Sequence, residues 1–197
     1  MEPKGYARKE VLSDGSIRYY NAEGKLHRED GPAVEHPDGY CGWYRNGERH
    51  RLDGPAVEDA DGTKAWYRNG KHHREDGPAI EYANGSKEWW VNGKRHREDG
   101  PAVIRSDGSK MWFRDGLRHR DDGPAIEWSD GSKEWWIKEQ RHREDGPAVE
   151  YTDGYRAWYR NGKVHREDGP AVEYPNGSKE YWLSGKQVNH PAVNCGA

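Results

Sequence analysis

A short phrase, His-Arg-Glu-Asp-Gly-Pro-Ala, returns along this chain at a spacing that never changes. Its Asp-Gly-Pro-Ala core begins at Asp30, Asp53, Asp76, Asp99, Asp122, Asp145 and Asp168, a step of 23 residues each time. One fixed period means a row of like supersecondary units, each burying its apolar face against the next because none has a core of its own. Whatever the protein does must therefore reside in a surface that repeats, or where the repeat has been edited.

The other landmarks keep the same register. Asp or Asn followed by Gly stands at Asp38, Asp61, Asn84, Asp107, Asp130, Asp153 and Asn176, and an aromatic pair follows each, from Trp43-Tyr44 to Tyr181-Trp182. A second Asn-Gly closes the aromatic segment at Asn46, Asn69, Asn92 and Asn161, softens to Asp115-Gly116 and Ser184-Gly185, and is replaced at Lys138-Glu139-Gln140. Asx-Gly between short β-prone runs signals hairpins, because a type I′ turn needs positive φ at both central residues. Gly and Pro recur so often that no helical apolar period survives. The expectation is an all-β fold: an elongated antiparallel array of about eight hairpin units, two strands per unit, forming a twisted meander.

Composition limits the core. Apolar residues make up 31% and charged residues 34%, so the ten Trp and twelve Tyr must supply much of the buried area. Alternation sends the two rings of each pair to opposite faces, where neighbouring hairpins, the stems of Lys64, Lys87, Lys110 and Lys133, or a partner can cover them. The unbroken period predicts one repeat domain over 14–183, with a lead-in over 1–13 and a degenerate cap over 184–197.

The string Trp90-Val91-Asn92-Gly93-Lys94-Arg95-His96, with Asp107-Gly108 after it and the whole repeated at the same period, resembles the MORN repeat. The likeness spans residues 14 to about 186 and is nearer to the MORN-variant proteins of bacteria, phages and large DNA viruses. Arg97 stands where the family has Gly, and the charged Glu98-Asp99-Gly100-Pro101 that follows is longer, which weighs against the lipid binding often proposed for the family. The resemblance implies β-hairpin units and a binding protein rather than a catalyst, and some such proteins are labelled antitoxin components.

The residues themselves point the same way. A catalytic site needs one constellation with perturbed groups, whereas His-Arg-Glu-Asp recurs in unit after unit, varied only at Leu52 and Asp121, as a structural string does. The expected structural role is a ladder in which Arg28, Arg51, Arg74 and their equivalents pair with acids of an adjacent unit. No cofactor or metal is expected: His72-His73 is the only adjacent His pair, and Cys41 and Cys195 lack metal-ligand spacing. A phosphate-binding glycine loop is missing as well. With 32 basic against 35 acidic residues, nucleic acid is not an expected partner, and without a long apolar run neither is a membrane. The expected location is a reducing cytoplasm.

A protein partner is the expected ligand, and function is sought at departures from the repeat. The slot holding His36, Asp59, Tyr82, Arg105, Trp128, Tyr151 and Tyr174 varies most. Tyr82, Arg105 and Trp128 are therefore the candidate contact residues, aromatic rings and Arg being favoured at hot spots. Lys138-Glu139-Gln140, expected to form a longer or differently shaped tip, joins them, and Cys41-Gly42 and Ile104 are further edits. An edge strand near Pro191–Val193 is a candidate for self-association. The competing reading is a small-ligand binder, or sponge, whose grooves between repeated rings hold a nucleotide, sugar or lipid headgroup.

Overall fold

The computed structural model describes residues 5–189, so Cys195 and the Pro191–Val193 edge lie outside the described residues. The described chain is all-β, and its strands pair in antiparallel fashion. It falls into two compact units, one built on residues up to Arg97 with Ala102–Ser106, the other on Glu98–Pro101 and residues from Asp107 on. No helix of the described residues is long and apolar enough to cross a membrane.

Each repeat holds more strands than the expected two. In the first unit, Val57–Glu58 pairs with Lys64–Ala65 across one Asx-Gly turn, and Tyr67–Arg68 pairs with Lys71–His72 across the other. The long aromatic strand is split at its first ring. Trp66 gives its N–H to the Ala79 carbonyl at 2.8 Å, while its own carbonyl accepts from His73 N–H at 3.1 Å. The chain thus changes hydrogen-bonding partner at that residue. The turn chemistry is as expected, with Asn46, Asn69 and Asn92 at φ near 50° and a positive-φ Gly after each.

Register divides each sheet into two chemically different faces. In the first unit the pairs Val34↔Gly42, Gly42↔Val57, Val57↔Ala65, Ala65↔Ile80, Ile80↔Glu88 and Glu88↔Val103 lay one continuous buried stripe. In the second, Met111↔Ile126, Ile126↔Glu134, Glu134↔Val149, Val149↔Ala157 and Ala157↔Val172 do the same. The stripe is covered by the second ring of each pair and by neighbouring tyrosines. Tyr40, Tyr67 and Trp90 pack on Val57, Ala65 and Ile80, and Tyr155, Tyr159, Tyr174 and Trp182 pack on Val149, Ala157 and Val172.

On the opposite face, Glu58↔Lys64, Lys64↔Glu81 and Glu81↔Lys87 alternate in sign, a cross-strand ladder that suits a solvated face. Cys41 interrupts it between Glu35 and Glu58, and burial together with those two carboxylates pushes its thiol above the ordinary value. The alanine of each Gly-Pro-Ala is fully buried: Ala33, Ala56, Ala79 and Ala102 in the first unit, Ala125, Ala148 and Ala171 in the second.

The lead-in over 1–13 contains a strand, Arg8–Val11, paired along its length with Ile17–Tyr20. Arginines of the repeated phrase cover the first tryptophan of a pair: Arg51 lies 4.1 Å from the Trp43 ring, Arg74 4.1 Å from Trp66, and Arg143 4.0 Å from Trp135.

Candidate functional site

The arginine of the repeated phrase is the hub of each loop. Stacked on its tryptophan, Arg143 donates from Nε to Asp145 at 3.0 Å and from Nη1 to the Pro147 carbonyl at 3.1 Å and to Glu150 at 2.7 Å. Arg28, Arg51, Arg74 and Arg120 repeat the pattern. The expected ladder is therefore local: each arginine takes acids two and seven residues onward. The same contact explains the glycine before proline. A Cβ at Gly146 would stand 2.9 Å from Arg143 Cζ, so the residue is glycine for close approach as well as for its place before proline.

The histidine ties one repeat to the next. Nδ1 of His50, His73, His119, His142 and His165 accepts the backbone N–H of Asn69, Asn92, Lys138, Asn161 and Ser184, at 3.0–3.2 Å. Most of the basic and imidazole groups in the phrase are thus committed to the scaffold. Its carboxylates remain in water: Asp53, Asp76, Asp122, Asp145 and Asp168 are all more than four-fifths exposed.

Grooves open between successive loops. One of 640 Å³ lies between the loops at Arg28 and Arg51, with Trp43 and Arg45 in its lining. Another, of 560 Å³, lies between those at Arg143 and Arg166, with Trp158 and Arg160 at the corresponding places. A third, of 800 Å³, lies between the loops at Arg120 and Arg143, where Trp135 is joined by Ile137.

Beneath the other face lies a cluster that sequence reasoning missed. Glu134, 5% exposed, accepts from Trp136 Nε1 at 3.0 Å, from Arg141 Nε and Nη2 at 3.2 Å, and from the Tyr151 hydroxyl at 3.3 Å. Glu88 gathers Trp90, Arg95 and Tyr82 in the same way. Trp182 likewise donates to Glu180 at 2.7 Å. The signal was present in the sequence: Trp occupies the second aromatic place where Glu stands two residues earlier, and Tyr does so where that residue is Gly42, Ala65 or Ala157. An indole N–H near a buried stripe needs an acceptor; a phenol can reach water or another side chain.

The candidate contact residues are distributed as follows. Tyr82, 38% exposed, is held to Glu88 by its hydroxyl at 3.5 Å, and its phenol is shifted up by burial and by that carboxylate. Arg105 is exposed in the same unit, just before the Ser106 N–H that donates to Ser86 Oγ. Trp128, in the second unit, is half-buried and opens a turn through its N–H to the Ser132 carbonyl. Lys138, Glu139 and Gln140 form the tip of a separate hairpin and do not share the slot of the other three.

The sequence matches no known family model and no curated protein.

The Lys138-Glu139 tip is not longer or differently shaped, contrary to expectation. Both residues have positive φ, 48° and 67°, and Ile137 pairs with Gln140 as Val91 pairs with Lys94. Its chemistry has a local cause. Met111 occupies the place that Glu88 and Glu134 hold elsewhere, which leaves Arg118 without a buried carboxylate, and Glu139 offers an exposed one from the next turn. The Glu139 carboxylate accepts from Arg118 N–H and from Nε, each at 2.7 Å, and these bonds hold it below the usual carboxylate range.

Left-handed Lys138 gains nothing comparable from its side chain. Lys138→Asn, the residue at four equivalent turns, is expected to stabilise the protein by about 0.5–1 kcal/mol, read as a higher urea midpoint.

The pH response follows from the charged loops and from His72. Hydrogen bonds from the neighbouring arginines hold Asp53, Asp76, Asp122, Asp145 and Asp168 below the ordinary value. Their stabilisation is complete above the unfolded carboxyl pKa of about 4 and is lost as pH falls through the lowered folded values. His72 packs its ring 4.1 Å from Tyr67 and is shifted down chiefly by burial, against a smaller upward pull from Glu88. A lowered imidazole favours folding above its unfolded pKa of about 6.5, and that part fades as pH falls toward the folded value. Denaturation midpoints measured from pH 7 to 3 should fall in both windows, and His72→Phe should flatten the upper one.

Proposed function

We propose that the chain is a non-catalytic, MORN-like repeat protein that binds one macromolecular partner, a protein. In its most specific form it is an inhibitor or antitoxin that covers a toxin or a defence enzyme. The observation that carries this reading is the employment of the repeated phrase. Its arginines stack and bridge, its histidines accept turn N–H groups, and what faces solvent is a series of carboxylates beside grooves. Such a surface is suited to recognition by charge and shape. The antitoxin form rests on the family resemblance of the repeat.

The likeness of the 640 and 560 Å³ grooves favours a second reading, in which each holds the same small ligand. Stoichiometry separates the two. Affinity capture from the native host, followed by calorimetry with the recovered partner, should give one or two partners per chain. A small ligand titrating at several equivalents would replace this reading with the second.

A further inference from the structure

The loops of the repeated phrase are copies of one design, so each serves as a control for the others, and one departs from it in a way that packing does not explain. The place after the arginine holds an acid at Glu29, Glu75, Glu98, Asp121, Glu144 and Glu167, and in the remaining copy it holds Leu52. Leu52 is 74% exposed, more than any other large apolar side chain among the described residues. The rest of its loop is unedited. Arg51 is bonded to Asp53, Pro55 and Glu58 and stacked on Trp43, as its equivalents are. Arg45, seven residues before Leu52, is the residue that Arg68, Arg114 and Arg160 repeat.

In other copies this acid serves a histidine and an arginine. Asp121 lies 3.2 Å from His119 and 3.3 Å from Arg114, and Glu167 lies 3.3 Å from His165 and 3.8 Å from Arg160. Arg68 makes no ion pair, but Glu75, seven residues on, is turned to His73 at 3.4 Å. Leu52 serves neither group. Arg45 is exposed and has no ion pair or side-chain hydrogen bond among the described residues. His50 Nδ1 accepts the Asn69 backbone N–H at 3.2 Å and lies 2.8 Å from that residue's side-chain amide, which places the proton of the neutral ring on Nε2. That Nε2 is buried without an acceptor. His165 Nε2 also makes no hydrogen bond, yet it keeps the Glu167 carboxylate 3.3 Å away.

Arg45, His50 and Leu52 line the same 640 Å³ groove, beside Trp43. The two loop arginines that also line it are each met by two carboxylates, Arg28 by Asp30 and Glu35 and Arg51 by Asp53 and Glu58. The other two grooves have this acid from both of their loops, Glu144 with Glu167 and Asp121 with Glu144. Here Glu29 is the only one. The groove is therefore short of one carboxylate, and it holds an unpaired guanidinium and an exposed isobutyl group.

We propose that this groove receives a Glu or Asp side chain of the protein partner, its carboxylate paired with Arg45 and an apolar neighbour of that residue seated on Leu52. The inference rests on the partner-binding reading above and names the chemistry that the partner presents, since the partner supplies the acid that this copy of the phrase omits. A single carboxylate fits the planar fork of one guanidinium, and the His50 Nε2–H adds to the positive potential there. An apolar residue over Leu52 excludes water from the pair and so strengthens it. A nucleic acid would meet Glu29, Asp30 and Asp53 in the same lining, and a basic side chain would meet Arg45.

The test is a methyl-resolved NMR titration of the full chain with acetylated, amidated heptapeptides, Gly-Gly-Leu-Xaa-Leu-Gly-Gly, where Xaa is Glu, Gln or Lys. The Leu52 δ methyls should shift and saturate with the Glu peptide and stay in place with the other two. Leu52→Glu restores the acid that the other copies carry, and it should weaken the Glu peptide about tenfold or more. Glu167→Leu should create a second site in the groove between the Arg143 and Arg166 loops and raise the stoichiometry from one to two.

No Leu52 shift at about 10 mM Glu peptide would overturn the proposal. So would equal affinity in Leu52→Glu, or glutarate binding there as tightly as the Glu peptide, which would mark a site for a free anion. Capturing the host partner with wild type and Leu52→Glu side by side keeps the two readings apart. Equal capture rejects this groove and keeps the partner; recovery of no partner by either form rejects the partner-binding reading itself.

Discussion

Glu134→Ala should be the most damaging single substitution in the second unit, lowering stability by about 3–5 kcal/mol, because removing one member of a buried ion pair strands the other. The lost carboxylate takes with it the acceptor of Trp136 Nε1, two bonds from Arg141 and one from Tyr151. Arg141 is held over the Trp136 ring at 5.0 Å, so its charge would remain against an apolar stripe without compensation. The repeat itself supplies the rescue. One period later the same three places hold Ala157, Tyr159 and Val164, a solution with no buried charge, in which Tyr159 pairs with Val164 across the turn and Ala157 is fully buried. Glu134→Ala combined with Trp136→Tyr and Arg141→Val should therefore recover most of the loss. Residues that share one network do not act additively, and urea midpoints for the single and triple variants would expose the coupling. Equal destabilisation of both would show that the cluster is not the unit of stability.

Much of the fold was legible because turns and period are written in residue types that have few alternatives. Asn69-Gly70 adopts the two positive φ values that such a pair favours, and the Val57 to Val103 stripe follows from alternation once the turns are fixed. What escaped were relations across the period. The break at Trp66 depends on the Ala79 carbonyl of the following repeat, and nothing in a local window reveals where a strand changes partner. The arginine and glycine of the loop looked like a charge and a turn residue, although the glycine leaves room for the guanidinium. Tyr82 and Glu139 drew attention as variable residues. Each is tied to a second variable residue, Glu88 and Arg118 respectively, so their variation is partly compensation within the fold.

The second large effect is expected at the loop hub. Arg143→Ala should cost about 2–4 kcal/mol, the scale of losing charge-assisted hydrogen bonds together with a partly desolvated cation–π contact. Three features place it above an ordinary surface ion pair. The Arg143 side chain is 22% exposed, its Nη1 satisfies the Pro147 carbonyl as well as Glu150, and its plane covers Trp135. Arg143→Lys should rescue little, since an ammonium cannot reproduce the planar fork that reaches Asp145, Pro147 and Glu150 while stacked. Gly146→Ala approaches the same hub from the other side. The added methyl would meet Cζ at 2.9 Å and Nε at 3.1 Å, and the tryptophan behind the guanidinium limits its retreat. Overpacking of that kind costs about 1–3 kcal/mol. If the hub is the common target, Gly146→Ala should cost much less in an Arg143→Ala background than in the wild type, because the atoms it strikes are gone. A full and independent loss in both backgrounds, read from thermal midpoints, would mean that the glycine is required by the backbone before proline and not by the arginine.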